Sequence, residues 1–511
     1  MSATLLRALL LGLLLSACAV ARGAGAPPLW AQVDRVTWGV TPAELQRARQ
    51  MGWQAYLDAQ LHPDPAAPLP PDVQQRIDAL SISREDESAV YWDQLARARQ
   101  IRQLPQDEQV EARREVRRVA GRRAAETAQR SAWRALYSPS QLQELMTWFW
   151  MNHFSVYAGK GYIGTVLPSY EDEAIRPHAL GRFRDLLGAT VRAPAMLIYL
   201  DNVRNASGKR NENYARELLE LHTLGVDGGY TQHDVQELAR VLTGLGIRPD
   251  ARAPRVPRAL RGQLVQDGLF RFDPSRHDRG DKTLLGRHIA GGGLDEVDRV
   301  LDLLARHPAT ARHISRKLAQ YFVADRPDEA LVRRLSATYL KTDGDIAEVL
   351  RALFSSPQFA ASLKARKFKD PTQYVYSALR LAYAQGPAVR NPQAVTGLLG
   401  RLGQAPNRRV TPDGYPTAQS DWSGSGQMTA RFDVAQRIAA MPAPFYREGG
   451  PDKDGAPRPR LPAPLPLAHA YGAQPGPFQA LSPATRHALA EAGNVRQANA
   501  YLLASPEFMR R

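Results

Sequence analysis

The sequence predicts a mainly α fold: a large multi-helix domain with long irregular loops and little or no β-sheet. Three observations lead there. Helix-start chemistry recurs in Thr41-Pro42-Ala43-Glu44, Ser138-Pro139-Ser140-Gln141 and Asp370-Pro371-Thr372-Gln373, with partial versions at Ser356-Pro357, Ser482-Pro483 and Ser505-Pro506. A cap oxygen satisfies an orphan N–H, and proline at the first helical position gives up an N–H that had no partner anyway. Apolar residues then fall at helical spacing, as in Leu142, Leu145, Met146 and Phe149. Runs of strict two-residue alternation are scarce, which leaves room for a short hairpin or two.

Taken in chain order, Met1 to Ala17 reads as a secretory signal peptide, with one basic residue (Arg7), an apolar run over residues 8–15 and a small-residue end. Leu15-Ser16-Ala17-Cys18 also matches the lipobox of bacterial lipoproteins, in which the cysteine is acylated. Cys18 is the only cysteine of the chain. Ordinary cleavage after Ala21 or Ala26 is the alternative, and both readings export the protein. Ala19, where an aspartate would signal inner-membrane retention, points to the outer membrane. Residues 19–37 read as a tether and 38–445 as the helical domain. Near 249–293 an Arg-, Pro- and Gly-rich insertion interrupts it. Residues 446–480 read as a Pro/Gly-rich loop or linker, and 481–511 as a C-terminal helical segment.

The 511 residues carry a formal charge of +16, and 44% of them are hydrophobic, enough for a sizeable core. Of the 67 basic residues 58 are arginine, a skew that reads first as genome base composition. The densest basic stretch, Arg113 to Arg134, forms no clean stripe and is expected to be a solvated helix. No nucleic-acid module is present, so nucleic acid is not an expected partner. Beyond the N-terminus no apolar run approaches the roughly 20 residues that cross a bilayer, so membrane contact is expected only through a lipid anchor. One cysteine excludes an intrachain disulfide framework and Cys-rich metal sites.

The polar constellation is densest over residues 147–247: Trp148-Phe-Trp-Met-Asn-His153, Tyr170-Glu171, Ile175-Arg176-Pro177-His178, Tyr199-Leu-Asp201-Asn202 and Asn211-Glu-Asn-Tyr-Ala-Arg-Glu217-Leu-Leu-Glu220-Leu-His222. Downstream lie Phe272-Asp-Pro-Ser-Arg-His277-Asp278 with Lys282, His307-Pro308-Ala309 with Lys317-Leu318, and Pro412-Asp-Gly-Tyr-Pro with Trp422. From about Trp38 through Arg431 these strings closely resemble a widespread family of exported bacterial proteins, catalogued as domain of unknown function 1800. The resemblance implies an exported, mostly helical protein. It also implies a gene neighbour from another exported family that looks like sulfatases and phosphatases.

Residue by residue, the helix after Asn211 is expected to turn Glu212, Asn213, Arg216, Glu217, Glu220 and Thr223 to one arc, with an Arg216–Glu220 pair. His222 falls in the middle of the opposite, apolar arc, and His153 lies on the stripe of Leu142, Met146 and Phe149. Such histidines are core residues tied to a carbonyl or carboxylate, or they are ligands and acid–base groups. Two functional readings follow. In the first, an exported hydrolase acting on an envelope or environmental polymer brings His153, His222 and His277 together with Glu171, Asp201, Glu217 and Asp278 in one cleft. The histidines would hold a divalent transition metal or shuttle protons, and one carboxylate would act as base. In the second, a non-catalytic envelope scaffold binds an envelope polymer or an exported partner protein on its helical surface, and the same residues form buried polar networks. No zincin H-E-x-x-H, G-x-S-x-G elbow, P-loop or dinucleotide fingerprint is present.

Overall fold

The computed structural model describes residues 27–252, 254–383, 388–440, 443–446, 465–472, 474–479 and 481–511. The expected signal segment, Cys18, the first part of the expected tether and residues 447–464 lie outside the described residues. Helices dominate, and strands are few and three residues long. The start signals work through their side-chain oxygens. Thr41, Asp370, Ser356 and Ser482 each accept a hydrogen bond from the backbone N–H three residues on. Two details differ from the expected pattern. Glu44 accepts from Tyr56 Oη at 2.7 Å instead of closing a capping box. The Gln141–His153 helix starts after Ser140, and Ser138 turns the chain by accepting from Ser140 N.

The stretch over 249–293 is partly ordered into β-structure. A three-stranded antiparallel sheet has Phe270–Phe272 in the centre, flanked by Leu245–Ile247 and Val265–Asp267. A hairpin pairs Lys282–Leu284 with Arg287–Ile289 across Leu285-Gly286, both at positive φ, as a two-residue turn of matching twist requires.

One contiguous core runs from Ala31 to Met509, and its ends are tied together. The expected tether is a helix from Leu29, Leu29–Val36, with Val33, Asp34, Arg35 and Val36 buried. Its amphipathic pattern sinks one face, and Arg35 reaches the chain's last residue, donating from Nη2 to the Arg511 carbonyl at 2.7 Å. The Val495–Leu503 helix packs on the Ser425–Ala440 helix. Residues 366–369 pair with 509–511 through Lys369 N to Met509 O and Arg511 N to Lys367 O. Part of the expected linker is also packed: Leu467 is buried, and its N–H donates to Asn499 Oδ1 at 2.9 Å.

The basic helix corrects a second expectation. Gln106–Tyr137 is solvated at Arg113, Arg114, Arg117 and Arg118, but Arg123 and Arg130 are buried. Arg123 donates to Thr165 O and Glu85, and Arg130 pairs with Asp172 at 2.8 Å and donates to Pro168 O. A guanidinium can lie inside when its donors find carbonyls and carboxylates. Here they hold the helix against the segment that carries Glu171.

Candidate functional site: an aromatic cleft and a histidine seam

Two π-helical turns shape the centre of the molecule, Tyr170–Ile175 and Leu218–Thr223. Such turns inside α-helices frequently fall at functional sites. The second one redraws the expected faces of the Asn211 segment. Its widened spacing turns Thr223 inward, where Oγ1 donates to Leu218 O at 2.6 Å. Arg216 pairs with Glu212 at 3.5 Å rather than with Glu220, which accepts from Tyr230 Oη.

The seven predicted site residues do not converge. Asp278 is held by Arg240 through two bonds of 2.9 and 3.0 Å, and this guanidinium keeps its carboxyl below the usual range. His277 faces Thr243 O at 2.8 Å and Glu296 at 3.4 Å, in a buried group completed by Lys282. Asp201, in the left-handed region at φ 59°, pairs with Lys160 at 2.7 Å. Glu217 is half-buried, and burial together with Glu220 raises its carboxyl. Among the described residues no three His, Cys, Asp or Glu side chains are grouped so as to hold a metal ion. The expected set of His153, His222 and His277 is therefore corrected: His277 belongs to a separate network under the β-hairpin.

His153 and His222 do meet, with ring centroids 6.1 Å apart. Both are buried. Desolvation lowers both imidazoles, His222 to about 3, with further lowering from Lys317. His153 Nε2 donates to His222 O at 3.2 Å, and His313 Nε2 donates to Leu221 O at 3.2 Å. The π-turn thus leaves two carbonyls for two imidazoles from other helices. His313 and Lys317 were not among the predicted residues. A signal was present: at 100° per residue Lys317 falls on the inward arc of Thr310, Ile314 and Tyr321.

Glu171 lies elsewhere, in a cleft of about 760 Å³ including its open mouth. Trp38, Trp148, Tyr376 and Tyr415 supply aromatic surface there, and Ser131, Glu144, Glu171, Asn152, Asn407, Gln404 and Arg409 supply polar groups. Trp38 crosses Trp148 and Tyr376 edge-on at 6.0 and 5.1 Å. Asn152 clamps the rim, donating to Tyr415 O and accepting from Tyr415 N. The Asp-Gly-Tyr turn needs its glycine, because a Cβ on Gly414 would stand 2.2 Å from Asn152 O. Burial lifts the Glu171 carboxyl against the pull of Arg130 and Arg134, and Ser131 donates to it at 2.5 Å. Glu144 is occupied by Arg176 at 2.6 Å.

Two donors in this wall have no partner. Gln404 Oε1 accepts from Thr372 N and Oγ1, which orients its amide and leaves Nε2 buried without an acceptor. Trp38 Nε1 is in the same condition. Of the cleft residues only Glu171 had been singled out as a site residue. The others sit on four separate stretches of chain, and only packing brings them together.

No curated protein and no solved structure matches the chain. Residues 32–510 match the family of proteins of unknown function DUF1800. Trp38, His153, Glu171, His222, Lys317, Gly414 and Tyr415, which build the cleft and the seam, all lie within that span, and the chain belongs to the DUF1800 family.

Proposed function

We propose that this protein is an exported, lipid-anchored envelope protein that binds a polyhydroxylated polymer segment in the aromatic cleft. The observation that carries the reading is the pair of buried, unpartnered donors, Trp38 Nε1 and Gln404 Nε2, in a wall of aromatic rings. A buried N–H without an acceptor costs about 1–3 kcal/mol, and a ligand hydroxyl or carbonyl would relieve it. Aromatic faces suit the apolar faces of sugar rings, and Asn407, Arg409 and Ser131 suit their hydroxyls. The dispersal of the seven predicted residues favours binding over metal-assisted hydrolysis.

Intrinsic tryptophan fluorescence titrated with soluble envelope oligosaccharides tests the proposal. Saturable quenching is expected. Gln404→Leu and Trp148→Ala should each weaken it about tenfold or more, about 1.4 kcal/mol. No saturation with any saccharide, or unchanged affinity in both variants, sinks the reading. A hydrolase reading rests on the raised carboxyl of Glu171 in the same cleft. In that case Glu171→Gln would stop product release while leaving quenching intact. For the anchor, Cys18→Ser should abolish acyl labelling and globomycin-sensitive processing. Persisting label in that variant would refute lipidation.

A further inference from the structure

We infer that the seam between His153, His222 and Lys317 is a binding site for a protonated tetrahedral oxyanion, hydrogen phosphate, independent of the cleft. The seam lies where the end of the Gln141–His153 helix, the π-turn Leu218–Thr223 and the Pro308–Phe322 helix meet. His222 is 1% exposed, and neither of its ring nitrogens has a partner. His153 is 2% exposed, and its Nδ1 has none either. Tyr214, whose ring stands 6.4 Å from His222, also has a buried hydroxyl without a partner. Buried polar atoms in native proteins are almost always satisfied, by protein, water or ligand. Four such atoms on three neighbouring residues call for partners that the described residues do not supply.

The chemistry of the atoms selects the occupant. His153 Nε2 faces a carbonyl, which can only accept, so Nε2 carries the proton and Nδ1 presents a lone pair. His222 presents one N–H and one lone pair, Tyr214 an O–H, and Lys317 an amine. Among the described residues no carboxylate pairs with these imidazoles or with Lys317. The one carboxylate that Lys317 senses, Asp413, is itself bonded by Arg409 and Thr411. A metal cation would have to sit beside the Lys317 amine and would gain no anionic ligand. A fully deprotonated anion such as sulfate satisfies the donors but opposes its own lone pairs to His153 Nδ1. Hydrogen phosphate offers acceptor oxygens to Lys317, His222 and Tyr214 and one O–H to His153 Nδ1. A site built around a ligand's own O–H rejects the analogue lacking it, because the buried acceptor is left unpaired.

Calorimetric titration of the whole exported chain with inorganic phosphate and, separately, sulfate tests this. Saturable phosphate binding is expected, with sulfate at least about tenfold weaker, and Lys317→Met should lose the phosphate signal. The phosphate–sulfate comparison uses unaltered protein, so it stands even where the variant fails to fold. Glycerol phosphate separates the two sources of the group. Binding of the inorganic ion alone identifies the free ion, and equal or tighter binding of the ester identifies a phosphate-bearing ligand. Absence of saturable phosphate binding, equal affinity for sulfate, or an unchanged isotherm in folded Lys317→Met overturns the proposal.

Discussion

Arg35→Met is expected to lower the unfolding free energy by about 3–5 kcal/mol, the size of the largest single-residue losses. Arg35 is fully buried, and burial, reinforced by Arg511, lowers its guanidinium to about 9. Both Nη nitrogens are used, and only its Nε–H has no partner. Nη1 donates to Phe322 O at 2.6 Å and Ser362 Oγ at 3.1 Å, and Nη2 donates to Arg511 O at 2.7 Å and Ser362 O at 3.3 Å. Phe322 and Ser362 lie in the last turns of two helices, where a cation meets the negative end of the dipole. One planar group therefore holds two helix ends and the last residue of the chain to the first described helix. Methionine fills the volume but leaves the buried Phe322 and Arg511 oxygens without this donor, at about 1–3 kcal/mol each. Lysine should recover only part of the loss, since one ammonium cannot reproduce the fork. Urea unfolding followed by far-UV circular dichroism measures this. A loss under about 1 kcal/mol for Arg35→Met would show that these acceptors find other donors.

A second large effect is expected at the β-hairpin. Lys282 Nζ stands 2.6 Å from Glu296 Oε1, and both side chains are fully buried. Gly292 N donates to Glu296 Oε2 at 2.9 Å, and His277 Nε2 lies 3.4 Å from the same oxygen. Lys282→Met removes the cation and leaves a carboxylate in an apolar setting, which costs about 3–5 kcal/mol. Replacing both members should be far milder, because two well-packed apolar residues avoid the desolvation of both ions. The Lys282→Met/Glu296→Leu pair should thus be more stable than Lys282→Met alone. A double-mutant cycle read by thermal unfolding decides it. Additive losses would show that the two groups do not act as a pair.

The candidate residues show how local pattern and tertiary packing divide the outcome. His153 and His222 were legible because each is a titratable ring on an apolar stripe, and they do lie together in the core. Lys317 was legible by the same rule, an ammonium on the inward arc of a helix, and belongs with them. The π-turn was not legible. One extra residue per turn moved Thr223 inward and broke the expected Arg216–Glu220 pair, and no single residue type announces that widening. Asp278 and Asp201 had the right chemistry for a site, but Arg240 and Lys160 claim them, and a charge partner from a distant segment cannot be read from spacing. The arginines of the basic helix mislead for the same reason. Arg113 and Arg123 look alike along the chain and differ only in what packs over them.

The sequence by itself determined the helical fold, because caps, prolines and 3.6-residue periodicity act within a few residues of one another. It also determined membership of the family. Tertiary structure alone decided that the stretch from Leu29 is core rather than tether. It alone brought Trp38, Gln404 and Tyr415 into one cleft, and it left the ring nitrogens of His222 without a partner. Those outcomes depend on contacts between segments hundreds of residues apart. Which buried donor meets an acceptor, and which is left for a ligand, is settled only when the whole core closes.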